Sequence, residues 1–229
     1  RAVTKEDYIT RIYALPAKYG NVAKAYIVQD TQLDNKTGAN SDNRIINPLA
    51  LNLYTLGFNA NKKLVNLNQA VKENIQTYLT QFRMVTDAVN IKDAYVINIG
   101  VKFNLLTKTG YNKDEVVLRA IQTVKDFFDI DNWQIGQPIV LADLAYQISL
   151  VDGVSAVVTP EEDNDDKNPI IITNKFLESD NYSGNVYDVK GATKNGVVYP
   201  SLDPSIFELK FPNIDIEGRV IGDSTGGAY

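Results

Sequence analysis

The chain has 229 residues, 44% of them hydrophobic and 22% charged, and a formal net charge of −5. This is ordinary globular composition with enough apolar residues for a full core, and its acidic balance argues against nucleic acid or an anionic membrane as the main partner. His and Cys are both absent, which excludes Ser-His-Asp and Cys-His catalysis, metal sites built on imidazole or thiolate, and disulfides within the chain.

The first predicted element is a helix over about residues 4–15. Thr4 suits an N-cap, and Glu6 and Asp7 place negative charge in the first turn, where the helix dipole favours it. Asp7 follows Thr4 by three residues, a capping-box spacing with Asp in place of the usual Glu or Gln. Ile9, Ile12, Tyr13 and Leu15 carry the apolar period, and Pro16 stops it. A strand is expected over residues 21–29, then a polar loop over 30–44 rich in Asn, Asp, Thr and Gly. A second strand over 48–56 carries Leu49, Leu51 and Leu53 on one face, and residues 66–83 read as a helix. Its stripe is Leu67, Val71, Ile75, Tyr78, Leu79 and Phe82.

A polar turn at 83–87 leads into the most regular strand of the chain. Tyr95, Ile97, Ile99, Val101, Phe103 and Leu105 form one face, and Val96, Asn98, Gly100, Lys102 and Asn104 form a wetter one. A helix over 113–128 follows, striped by Val117, Ala120, Ile121, Val124 and Phe128, with Trp133 and the Phe127/Phe128 pair expected in the same core. A second helix covers 141–150, and Asp152-Gly153-Val154 turns into a strand ending near Thr159. Residues 160–169 read as a solvated break, and 170–204 as short strands and loops. Residues 205–219 read as a closing strand (Ile206, Phe207, Leu209, Phe211) with a further short one after Pro212, before a loose glycine-bearing tail at 222–229. No apolar run is long enough to cross a bilayer as a helix, and no signal peptide is read.

Motifs that suggest chemistry have plainer readings. Residues 222–227 spell a serine-protease-like nucleophile loop with one residue inserted, but no His is present to serve as its base. Glu161, Glu162, Asp163, Asp165 and Asp166 lack the glycine and terminal Glu of an EF-hand loop and read as an exposed acidic loop. The acid pairs Glu6/Asp7 and Asp114/Glu115 fall at helix starts, where the dipole accounts for them.

Four segments, in order, resemble the baseplate J-like family, the wedge proteins of contractile phage tails and related injection machines. They are RAVTKEDY at residues 1–8, RMVTDAVNIKDAYVINIGVKF at 83–103, the helix and Gly-Val turn within 137–158, and FELKFPNIDIEGRV at 207–220. Residues 160–204 look like an insertion that shorter members lack, which makes the chain most similar to the larger wedge proteins of T4-like phages. The resemblance implies a middle domain over 1–88 and a C-terminal domain over 89–229 that carries the insertion, with further protein upstream of Arg1.

The expectation is therefore an α+β fold: a helix-strand-strand-helix unit, then a sandwich-like domain whose small sheet carries two helices on one face and a β-rich insertion. The resemblance implies a structural wedge subunit of the virion, assembled in the host cytoplasm. Its partners would be itself, as a homodimer, and other wedge or hub proteins, with no catalytic residues, cofactor or metal. Tyr182, Tyr187 and Tyr199 in the insertion are the candidate self-association residues, because tyrosine is enriched at protein contacts. Residues 170–204 are expected to contribute to that association. The alternatives are a carbohydrate-active domain of a phage tail or a generic ligand-binding α+β module.

Overall fold

In the computed structural model, which describes residues 2, 4–29, 50–83, 88–160 and 168–224, the chain enters through helix α1 (Lys5–Tyr13). Both halves of the capping box form: Asp7 N donates to Thr4 Oγ1 at 3.2 Å, and Thr4 N donates to Asp7 Oδ2 at 2.9 Å. The helix ends two residues before the expected Leu15, because Pro16 starts a separate short 3-10 turn, Ala17–Tyr19. Two compact units result, Arg1–Val96 with Ser201–Ile206 and Ile97–Pro200 with Phe207–Tyr229. The first unit thus runs past residue 88 to Val96. The expected loop at 30–44 and the acidic residues 161–166 lie outside the described residues, as does all but Arg83 of the turn at 83–87.

The first unit is built on strand β2. Strands β1 (Lys24–Gln29) and β2 (Ala50–Phe58) are antiparallel, and the hairpin strand β3 (Leu64–Val65) pairs with the end of β2. Helix α2 (Gln69–Thr80) begins at Asn68, whose Oδ1 accepts from Val71 N at 2.9 Å, and leads to β4 (Ala88–Asp93), parallel to β2. Tyr8 and Ile12 of α1, Ile75 and Leu79 of α2, and Ala25, Ile27, Leu53 and Val89 of the strands form one core. The predicted stripe of α2 is the stripe that packs: Leu67, Val71, Tyr78 and Phe82 border the same cluster. Strand β2 differs from its one-sided reading. With a partner along both edges it is a central strand, and Asn52, Tyr54 and Thr55 are buried along with Leu53.

The second unit follows one long strand, β5 (Tyr95–Lys108), which begins at the end of the first unit. In chain order come α3 (Lys113–Phe127), β6 (Ile139–Val140), α4 (Leu141–Ser149), β7 (Val154–Val158) and β8 (Ile170–Asn174). Then come α5 (Val189–Ala192), β9 (Thr193–Lys194), β10 (Val197–Val198), β11 (Ser205–Glu208), α6 (Pro212–Asp215) and β12 (Ile216–Ser224). Strand β12 runs parallel to β5 against residues 101–108. Antiparallel to β5, β8 pairs with 99–103 and β7 with 104–107. A strand has two edges and β12 overlaps both stretches, so β8 and β7 lie end to end on the other edge. Strands β6, β10 and β9 form a separate small sheet.

Helices α3 and α4 pack on each other, α3 also against β12 and α4 against β7. The buried line of α3 is Val116, Ala120 and Val124, so its stripe is rotated from the expected one and leaves Val117 and Ile121 half-buried. Phe127, Phe128 and Trp133 gather with ring centroids 5.1–5.8 Å apart. The turn before β7 needs Gly153: φ is +92°, and a Cβ there would stand 2.6 Å from Val116 Cγ2. The fold is α+β.

Three further expectations change. The closing strand breaks after Glu208, because Pro212 opens the one-turn helix α6, and the chain then resumes as the nine-residue β12. Gly222, Asp223 and Ser224, expected in a loose tail, pair with Leu106, Thr107 and Lys108. The insertion also does more than decorate the domain, since β8 completes an edge of the central sheet.

Replacing Thr4 with Ala should cost about 1 kcal/mol, the usual worth of an N-cap. A lower urea midpoint for the first unit's transition, with the second unit's unchanged, would show it.

Candidate functional site: the second face of the central sheet

The alternation of β5 sends Ile97, Ile99, Val101, Phe103 and Leu105 to one face, all buried. The opposite face, expected to be wetter, has two halves. In the first half Asn98 is fully buried, and both its side-chain polar atoms and its carbonyl are hydrogen-bonded. Its Nδ2 donates to Glu208 Oε2 at 2.8 Å, and its Oδ1 accepts from Ser183 N at 2.8 Å. Its carbonyl accepts from Lys175 N and from Asn174 Nδ2. Asn174 in turn accepts from Tyr187 N at 2.9 Å through Oδ1. A buried amide is costly unless so satisfied, so this network is what allows residues 174–187 to cover the strand.

Asp215, also buried, anchors the same cover. Its Oδ2 accepts from Phe211 N at 2.8 Å, and its Oδ1 accepts from the Tyr182 hydroxyl. Burial, with the hydrogen bond to Asp215 second, pushes the Tyr182 pKa well above its ordinary value. Burial first and Asp188 second also raise that of Tyr187. Both phenols are therefore held neutral.

The three candidate tyrosines separate on this geometry. Tyr182 stacks edge-on to Phe211 with centroids 5.5 Å apart, and Tyr187 packs near Phe207 at 6.1 Å while donating its hydroxyl proton to the Tyr199 carbonyl at 2.6 Å. Both are half-buried and occupied within the chain, whereas Tyr199 is 50% exposed.

The second half of the face is open. Register places Ile171, Lys102 and Glu217 in one row across β8, β5 and β12, and Val158, Asn104 and Arg219 in the next across β7, β5 and β12. Lys102 Nζ stands 3.3 Å from Glu217 Oε2. A bulge between Val220 and Gly222 leaves Ile221 54% exposed. Lys102, Asn104, Val158, Glu217, Arg219 and Ile221 border a concavity of about 350 Å3. A second cleft, of about 370 Å3, lies along the outer side of β8. Among the described residues β12 pairs only with β5, so its outer edge has no strand partner there.

The described part of this face offers an ion pair, an amide, an arginine and apolar side chains along strand edges. Glu208 and Asp215 are committed to internal hydrogen bonds. Among the described residues no group of three or more acidic side chains could hold a metal ion, and no helix is long and apolar enough to cross a membrane. Glu115 pairs with Arg119 one turn on, and Asp7 belongs to the capping box. Two buried polar atoms have no partner among the described residues, Asp93 Oδ1 and Trp133 Nε1. Asp93 holds Lys72 at 2.7 Å through its other oxygen.

Sequence reading missed Asn98, Glu208 and Asp215. The available signal was the polar residue itself, placed inside or beside an otherwise apolar strand. No family model matches the sequence, and no curated protein does.

Asn98→Ala strips partners from Glu208 and the Ser183 amide and should destabilise the second unit by about 3 kcal/mol, measurable by urea unfolding. The Tyr182 shift gives a pH dependence. Above the ordinary phenol value of 10.0 the unfolded chain loses this proton while the folded chain keeps it, so stability falls as pH rises past that point. Unfolding curves between pH 8 and 11 should show a shallower alkaline loss for Tyr182→Phe than for the parent chain.

Proposed function

We propose that the chain is a structural wedge subunit of a contractile phage-tail baseplate, located in the virion and working through contacts with copies of itself and with other baseplate proteins. Four family-like segments in the right order support the reading. The observation that carries it is the second unit's allocation of groups. Its buried acids serve internal bonds, while a row-ordered sheet face is open and, among the described residues, the outer edge of β12 has no strand partner.

The edge suggests how two copies meet. Antiparallel pairing of two β12 strands centred on Gly218 sets Glu217 of one copy opposite Arg219 of the other, and Ile216 opposite Val220. Opposite charges directly across such a ladder add to its stability, and edge strands pair readily. Tyr199 is the one candidate tyrosine whose ring is exposed enough to join a contact. The other two support the fold that presents it.

Light scattering over a concentration series should show a dimer or higher oligomer burying more than about 1,000 Å2. Glu217→Arg should shift it toward monomer, and adding Arg219→Glu should restore association by reversing both charges. A strict monomer at high concentration that binds no other baseplate protein would refute the assignment.

A further inference from the structure

The cleft along β8 has two properties that together describe a ligand. The first is main-chain. Lys175 N donates to the Asn98 carbonyl at 2.9 Å, and residue 175 stands opposite 98 by the register that pairs Asn174 with Ile99. In an antiparallel ladder hydrogen-bonded and non-bonded pairs alternate. The bonded rungs therefore fall at 175, 173 and 171, and the N–H and C=O groups of Asn174, Ile172 and Ile170 turn to the outer edge. Among the described residues β8 pairs with no strand but β5, so no second ladder uses those groups.

The second property is the lining. Ile170, Ile172, Leu141, Val189 and Val198 give the cleft a buried apolar floor. Its charged side chains are Lys190, which is exposed, and Lys102, which is also paired with Glu217, and none of the described residues lining it is acidic. Its volume of about 370 Å3 falls in the range of binding sites that enclose a small ligand or a few residues of peptide.

We infer that this cleft takes a short extended peptide segment of a partner protein, one that adds a strand to the outer edge of β8 and bears an acidic side chain. The main-chain groups of Ile170, Ile172 and Asn174 supply the rungs. Alternate side chains of the peptide meet the apolar floor, and its carboxylate meets the ammonium group of Lys190, with Lys102 nearby. Strand addition of this kind takes affinity from the backbone and selectivity from alternate side chains. The site is separate from the β12 edge and stands without the baseplate assignment: dimerisation can persist while peptide binding fails, and the reverse.

The test screens the full chain against a random octapeptide display library, then measures fluorescein-labelled peptides from the enriched set by anisotropy. Enrichment of sequences that alternate β-branched and polar residues around an Asp or Glu is expected. N-methylating alternate amides of the best peptide should weaken binding at least tenfold, and Lys190→Glu, at an exposed position and with an unchanged circular dichroism spectrum, should do the same. Amide NMR shifts should centre on Ile170, Ile172 and Asn174. The inference is overturned by no enrichment, by equal binding of the N-methylated peptide, by shifts centred elsewhere, or by dimerisation that Lys190→Glu abolishes, which would make a second copy the occupant.

Discussion

The constraint on which the second unit depends is that β5 is enclosed on both edges and, over its first half, on both faces. A strand in that position cannot leave a polar side chain unsatisfied, yet Asn98 sits near its start. The result is a network in which one amide ties β5 to Glu208 on β11, to the Ser183 amide and, through its own carbonyl, to Asn174 and Lys175. Each bond is modest by itself. Together they fix where the irregular segment after β8 must lie, because any other placement strands a buried amide or carboxylate.

That explains the division of the second sheet face. Where Asn98 and Asp215 collect donors, the face closes, and the chain laid over it has Tyr182 and Tyr187 as its internal props. Where β5 carries Lys102, Asn104 and Leu106 the side chains are only half-buried, and the face stays open with an ion pair across its first row. Covered and open halves thus follow from a few polar residues, not from a change in strand propensity. In the first unit the core is amphipathic packing of α1 and α2 on a sheet, and the ion pair of Lys72 with Asp93 involves no residue of the core cluster.

Much of the fold was legible because it rests on local rules. The Thr4–Asp7 box, the stripe of α2, the alternation of β5 and the Gly153 turn all express periodicity or cap chemistry within a few residues. What escaped was non-local. Nothing within 205–219 says that Pro212 opens a helical turn that lets the chain rejoin β5 as β12, since the partner strand is about a hundred residues away. The burial of Asn98 depends on Glu208 and Ser183, equally distant in sequence. The tyrosines show the same limit. Composition marked them as contact residues, but only three-dimensional neighbours decide whether a phenol faces solvent or an internal acceptor.

The tandem arrangement of β8 and β7 on one edge of β5 bears on how such a chain can diversify. Each of the two strands is registered against its own stretch of β5 and needs nothing from the other. A change in the length of the span joining Val158 to Ile170 therefore leaves both registers on β5 in place. On the opposite edge β12 follows β5 over residues 101–108, so an inserted residue there inverts every side chain beyond it unless a second bulge like that at Ile221 absorbs it. One margin of this domain is free to vary in length, and the other is held to a fixed count.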